Sequence, residues 1–387
     1  MSSPLTVLGG ISAEQFFAEY WQKKPLLVRQ ALPAIIDFLT PQEIKDLALE
    51  PHVSARLIQQ LGPEHERWQV KSSPLNRKDF KHLPPYWTLL VQAIDQHSLD
   101  LAEMWKSFDF IPQWRRDDIM VSYAPQGGSV GRHFDYYDVF LVQGYGHRRW
   151  QLGNMCDENT PLVPKQPLKI LQDMDVVFDE VLAPGDLLYV PPGLAHYGVA
   201  ENDCLTFSFG FRMPNVADLV DRVSDQCAEQ DRLKQPISDQ SRRVSAHSGE
   251  ITRPELEQLK AQLIQAINDG STFEHAVMAL MSEPKYPDNI PESDELGVDD
   301  ITAVLNSGYI LQLEPASRLL YLQEHDLAMF WANGESIEIP AALTTHLQAL
   351  ADGHVFEFDD RFADEESLET LVELLNDAIL MLIEPAE

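Results

Sequence analysis

The side chains best suited to chemistry fall in two clusters. Gly127-Gly128 leads into His133-Phe134-Asp135, and far downstream Gly185-Asp186 leads through Pro191-Pro192-Gly193 to His196. His133 and Asp135 are two residues apart, a spacing that puts both on one face of an extended strand. One imidazole beside one carboxylate supplies two ligands of a facial metal site, and His196 is the candidate third. Two histidines and one carboxylate leave coordination positions open, which favours non-haem Fe(II) and oxygen chemistry. The imidazoles must be neutral and the carboxylate ionised to bind. Taken alone, the His133/Asp135 pair is also the pattern of a hydrogen-bonded surface pair. The glycines before it and the second cluster downstream shift the balance towards a metal site.

The elements around these clusters must position them. From Asp117 the pattern becomes one of short strands: 119–123, a long strand from His133 to Gln143, 147–152, 175–181, 186–190, 195–200 and 205–211. Turns such as Gly144-Tyr145-Gly146 and Ala183-Pro184-Gly185 separate them. Many short strands with little helix indicate an antiparallel barrel or jelly roll. Before it, Ser12 caps a short aromatic helix, and Thr40-Pro41-Gln42-Glu43 opens another as a capping box. The apolar run Trp87–His97 is expected to be a buried helix, with a second over 99–107. Beyond Pro214, apolar stripes predict helices over 216–228, 252–267 and 273–281. The proline-rich 284–291 is a linker. A small module of helices and hairpins, with Asn333-Gly334 as a turn, closes the chain.

Composition narrows the partners. The 387 residues carry 61 acidic and 29 basic side chains, a formal charge of −32. Such a surface repels phosphate backbones and attracts basic proteins, so direct nucleic-acid binding is not expected. From Asp288 onward the basic residues are Arg318 and Arg361, too few for an anion-binding groove. No apolar run suits a membrane span, and the N-terminus lacks a secretory pattern. Three unclustered cysteines fit a reducing, cytoplasmic setting.

The second cluster resembles the second motif of the cupin superfamily, with Ala200 standing where that motif usually has Asn. The first continues His133-Phe134-Asp135, as in the JmjC hydroxylases. His133-x-Asp135-x-Tyr137-Asp138-Val139-Phe140, Gln143-Gly144, Arg148-Arg149-Trp150, Pro191-Pro192-Gly193 and Gly210-Phe211-Arg212 together are similar to the bacterial ribosomal oxygenases. The resemblance implies an α+β chain: a double-stranded β-helix (cupin/JmjC jelly-roll barrel) with helical N-terminal support over 1–213, a helical dimerisation region over 214–284 and a winged-helix-like domain over 285–387. It implies His133, Asp135 and His196 as Fe(II) ligands and 2-oxoglutarate and O2 as cosubstrates. Arg148 would hold the distal carboxylate, with a hydroxyl from Thr206 or Ser208. It places Asp118, Tyr137 and Ser208 at the substrate. The implied reaction hydroxylates an arginine of a basic, large-subunit ribosomal protein, by a homodimer. Three rivals stay open: a JmjC hydroxylase of another residue such as histidine, a cupin isomerase or dioxygenase that uses no 2-oxoglutarate, and a non-catalytic acidic cupin module that binds basic ribosomal proteins. His147 reads as a surface residue opposite Arg148, and His52, His65, His82 and His97 lie outside the barrel.

Overall fold

The computed structural model describes residues 4–62, 67–240, 242, 244, 247–268, 270–293, 295–357 and 364–384, so His65, Arg243 and Arg361 lie outside the described residues. The chain divides into two compact units, Met1–Met213 and Pro214–Glu387.

In the first unit both expected caps form. Ser12 accepts from the Gln15 amide at the start of α1 (Ala13–Glu19), and Thr40 and Glu43 close a capping box on α2 (Pro41–Leu47). Strands β1 (Leu26–Val28), β2 (Ala55–Gln60), β3 (Trp68–Ser72) and β4 (Trp87–Val91) belong to one sheet. The expected helix over Trp87–His97 is therefore corrected to β4 followed by a 3-10 turn, Ile94–His97. Leu89 and Val91 pack in the main core while Leu90 packs in a separate cluster with Ile58 and Trp68. A strand covered on both faces is apolar throughout, and periodicity then cannot separate it from a buried helix. The second expected helix is only α3 (Leu99–Ala102), which tightens to 3-10 over Glu103–Phe108.

The barrel follows: β5 (Arg116–Ala124), β6 (Asp138–Tyr145), β7 (Arg148–Met155), β8 (Phe178–Leu182), β9 (Leu187–Val190), β10 (Leu194–Ala200) and β11 (Cys204–Phe211). One sheet runs β1-β9-β6-β11-β5-β4-β2-β3, the other β10-β7-β8, every pair antiparallel. Alternation on β11 shows how the layers are sorted. Phe207, Phe209 and Phe211 point into the main core, where Phe209 meets Phe108 with ring centres 4.6 Å apart. Thr206 and Ser208 point the other way, into the barrel. Each buried phenylalanine contributes roughly 2–3 kcal/mol, so this aromatic layer fixes β11, and β11 carries its polar neighbours with it.

The second unit starts with α4 (Val216–Glu229), α5 (Arg253–Asn268) and α6 (Thr272–Ser282). Then come α7 (Val298–Asn306), β12 (Ile310–Leu313), β13 (Leu319–Glu324), β14 (Leu327–Ala332), β15 (Glu335–Ile337), α8 (Thr344–Ala351), β16 (Phe356–Glu357), α9 (Glu365–Asn376) and β17 (Leu380–Ile383). Two three-stranded sheets, β16-β12-β17 and β13-β14-β15, share an apolar core with α7, α8 and α9. Strands β12 and β16 were not foreseen.

Candidate metal centre

The ligand segment differs locally from its expected form. β6 begins at Asp138, so His133 and Asp135 stand before the strand and not within it. Just before the ligands the chain bends at Gly131, whose φ is +88°, and a Cβ there would lie 2.6 Å from Ile170 and 3.1 Å from Trp68. What fixes the two ligands is backbone pairing to the distant cluster. The His133 amide donates to the His196 carbonyl at 3.0 Å and the His196 amide returns to His133 at 2.8 Å. The Gly193 amide donates to the Asp135 carbonyl at 2.7 Å. Asp138 then holds the end of the loop. Buried, it accepts from Tyr189 Oη at 2.6 Å, Gln22 Nε2 at 2.9 Å and Arg115 at 3.2 Å.

These constraints bring three side chains together. Asp135 Oδ2 lies 3.8 Å from His133 Nε2 and 3.6 Å from His196 Nε2, and among the described residues the three offer ligand atoms all within 4.8 Å of one another. Donors each about 2.1 Å from one ion stand about 3–4 Å apart, so the set fits a single metal. The tautomers fit as well. His133 Nδ1 is 3.0 Å from the Gly131 carbonyl and His196 Nδ1 3.0 Å from the Leu194 carbonyl. A carbonyl only accepts, so each Nδ1 carries the hydrogen and each Nε2 keeps its lone pair for the metal. Burial, and then the nearby His133 ring, lower the pKa of His196 to about 4, which leaves it neutral and ready to ligate at neutral pH.

A second, polar group lies in the same barrel. Strand alternation buries Arg148, at 3% exposure, and turns His147 and Arg149 outward, where Arg149 pairs with Glu201 and Asp179. Arg148 Nη1 donates to Ser122 Oγ at 3.3 Å, yet its Nε and Nη2 are buried without partners. Those two N–H groups form one edge of the guanidinium fork, the edge that takes a carboxylate through two parallel hydrogen bonds. Leaving them unmade is costly, so the barrel fits an anionic ligand with a carboxylate here. Ser122, Thr206 and Gln143 face one another across β5, β11 and β6. The Thr206 hydroxyl donates to Gln143 Oε1 at 2.9 Å, and Gln143 Nε2 is held by the Tyr145 carbonyl at 2.7 Å. Thr206 therefore turns lone pairs, not its proton, towards the interior. Ser122 had no role in the sequence reading; its signal was a hydroxyl on the inward face of β5.

The remaining sequence candidates lie close by. Asp118 is buried and accepts from the Ala93 amide at 3.0 Å. Desolvation, followed by Asp135, Asp118 and Asp117, pushes the Tyr137 hydroxyl above its ordinary pKa, so this phenol stands among acids. Ser208 is buried on β11, opposite Met120 and Leu141. Among the other histidines, His52 and His97 lie against each other, ring centres 5.3 Å apart, away from the triad.

Comparison with known proteins agrees with this geometry. Residues 103–219 match the JmjC domain family and residues 262–381 the ROXA-like winged helix family. A probable ribosomal oxygenase of Haemophilus influenzae is 42% identical over 95% of this chain and 94% of its own. The ribosomal protein uL16 3-hydroxylase of Escherichia coli is 31% identical over 93% of this chain and 95% of its own. A solved ribosomal oxygenase from Escherichia coli, in complex with cobalt and 2-oxoglutarate, superposes with a TM-score of 0.85 at 30% identity, covering 98% of this chain and 99% of that one. With a jelly-roll barrel, a facial triad inside it and a winged helix after it, the chain belongs to the JmjC-domain ribosomal oxygenases.

Proposed function

We propose that this protein is an Fe(II)- and 2-oxoglutarate-dependent hydroxylase acting on an arginine of a large-subunit ribosomal protein. The observation that carries this reading is the pairing, in one barrel, of the His133/Asp135/His196 triad with the unsatisfied fork edge of Arg148. When bound, the iron supplies the oxygen activation that no side chain provides. The chain's own residues do the rest. Two Nε2 atoms and one carboxylate hold the metal and leave one side open. Arg148 takes the distal carboxylate of the cosubstrate and so sets its direction, with Ser122 holding the guanidinium and Thr206 bracing the strand pair behind it. The acids around Tyr137, Asp118 among them, accept from a guanidinium, and the phenol ring gives it a flat surface. Ser208 adds a hydroxyl on the same inner face. The relative that acts on uL16 supports a ribosomal substrate.

The formal charge of −32 suits a basic partner. Leu256, Leu259 and Leu263 form an exposed stripe on α5, which supports homodimer formation through residues 214–284. No helix among the described residues is long and apolar enough to cross a membrane. The test is incubation of the anaerobically purified protein with Fe(II), 2-oxoglutarate, O2 and ribosomal-protein peptides. The expected result is succinate together with one added oxygen on an arginine, located by fragment mass spectrometry. Oxygen on a histidine would move the target residue, and no succinate from any peptide would remove the reading.

A further inference from the structure

Trp150 has no role in the chemistry so far, and its position calls for one. On β7 it lies between Arg148 and Leu152 on the inward face, and Leu152 pairs with the metal ligand His196 on β10. Trp150 therefore occupies the stretch of barrel wall that a ligand must run along to reach both metal and guanidinium. Its ring centre is 6.0 Å from that of His196, and the Arg148 guanidinium carbon is 5.7 Å from it. The indole is 4% exposed, and its Nε1 is buried with no hydrogen-bond partner. Its place is fixed by Gly198, the residue opposite: a Cβ there would lie 2.7 Å from the six-membered ring. Burying an indole N–H without an acceptor is unfavourable. Three donors without partners thus belong to successive inward residues of β7: Nε and Nη2 of Arg148 and Nε1 of Trp150.

We propose that the Trp150 indole N–H is a third donor to the distal carboxylate of the 2-oxo diacid, and so a cosubstrate-binding group. A carboxylate has acceptor capacity left after an Arg fork has taken two positions. This inference rests on the reading that 2-oxoglutarate binds here, and the experiment separates the two. Zn(II)-loaded protein, diamagnetic and inert to oxygen, is titrated with 2-oxoglutarate by calorimetry and by NMR of the indole N–H resonances. The Trp150 resonance is assigned by its loss in Trp150→Phe. The expected result is a downfield move of that resonance on saturation and about tenfold weaker binding in Trp150→Phe, the value of a hydrogen bond to a charged group. Zn(II) affinity should hold. An unmoved resonance, or a folded Trp150→Phe that binds 2-oxoglutarate as tightly as the wild type, overturns the inference alone. If the variant fails to fold, the resonance, then assigned through Gly198→Ala perturbation, decides. Wild-type protein that binds no 2-oxoglutarate overturns the function reading and this inference with it.

Discussion

His196 shows how burial prepares a side chain for its task. A desolvated imidazole beside a second imidazole resists protonation, so the ligand stays neutral well below physiological pH. The same displacement has a stability sign. The unfolded chain protonates this histidine near 6.5, while the folded one waits until about 4. Between those values the unfolded state holds the extra proton, and falling pH favours unfolding. Metal-free wild type should thus lose stability relative to His196→Gln as pH falls from about 6.5 to 4, with parallel behaviour above 7, read from urea midpoints. The difference between the two proteins is the quantity to follow, because Asp95 works the other way. Burial raises its folded pKa to about 7, so its contribution is lost as pH rises towards that value. At the triad itself, His133→Ala or Asp135→Ala should abolish substrate-dependent succinate formation and weaken metal binding at least about a hundredfold. Full activity in either variant would remove the assignment of ligands.

Elements place these residues with uneven legibility. The capped helices, the barrel strands from β5 to β11 and the hairpin at Asn333-Gly334 could be read directly, because caps, turns and alternation are local signals. The ligand residues were legible by type and spacing. The reason they meet was not: His133 and Asp135 are set by a bend at Gly131 and by backbone pairing to residues far along the chain. β4 was hidden by apolar cover on both faces, and Ser122 by its dependence on a partner from another strand. Gly131→Ala tests the bend. A Cβ would meet Ile170 and Trp68 in a backbone region that L-residues seldom adopt, so the expected loss is about 1–3 kcal/mol together with weaker metal binding. Phe108→Ala removes a fully buried ring from the aromatic layer behind β11. It should cost about 3–5 kcal/mol in chemical denaturation, with little change in the metal affinity of the molecules that remain folded.

Across the whole molecule, charge and chemistry are separated. The formal charge of −32 is spread over the chain, whereas the barrel interior concentrates a cationic fork and a metal triad. Screening should therefore act on the two substrates unequally. Raising ionic strength from about 0.05 to 0.5 M should raise KM for a basic ribosomal-protein substrate several-fold and leave KM for 2-oxoglutarate nearly constant in steady-state assays, since Arg148 is out of reach of salt. The reciprocal backbone hydrogen bonds between His133 and His196 have a different consequence. They join the two ligand segments through main-chain atoms, which every residue type but proline carries, so trimming a ligand side chain leaves the seam between the segments in place. A chain that has lost the His133 imidazole should then still carry its partner strand in register, and the defect becomes one of a missing donor rather than of a collapsed wall.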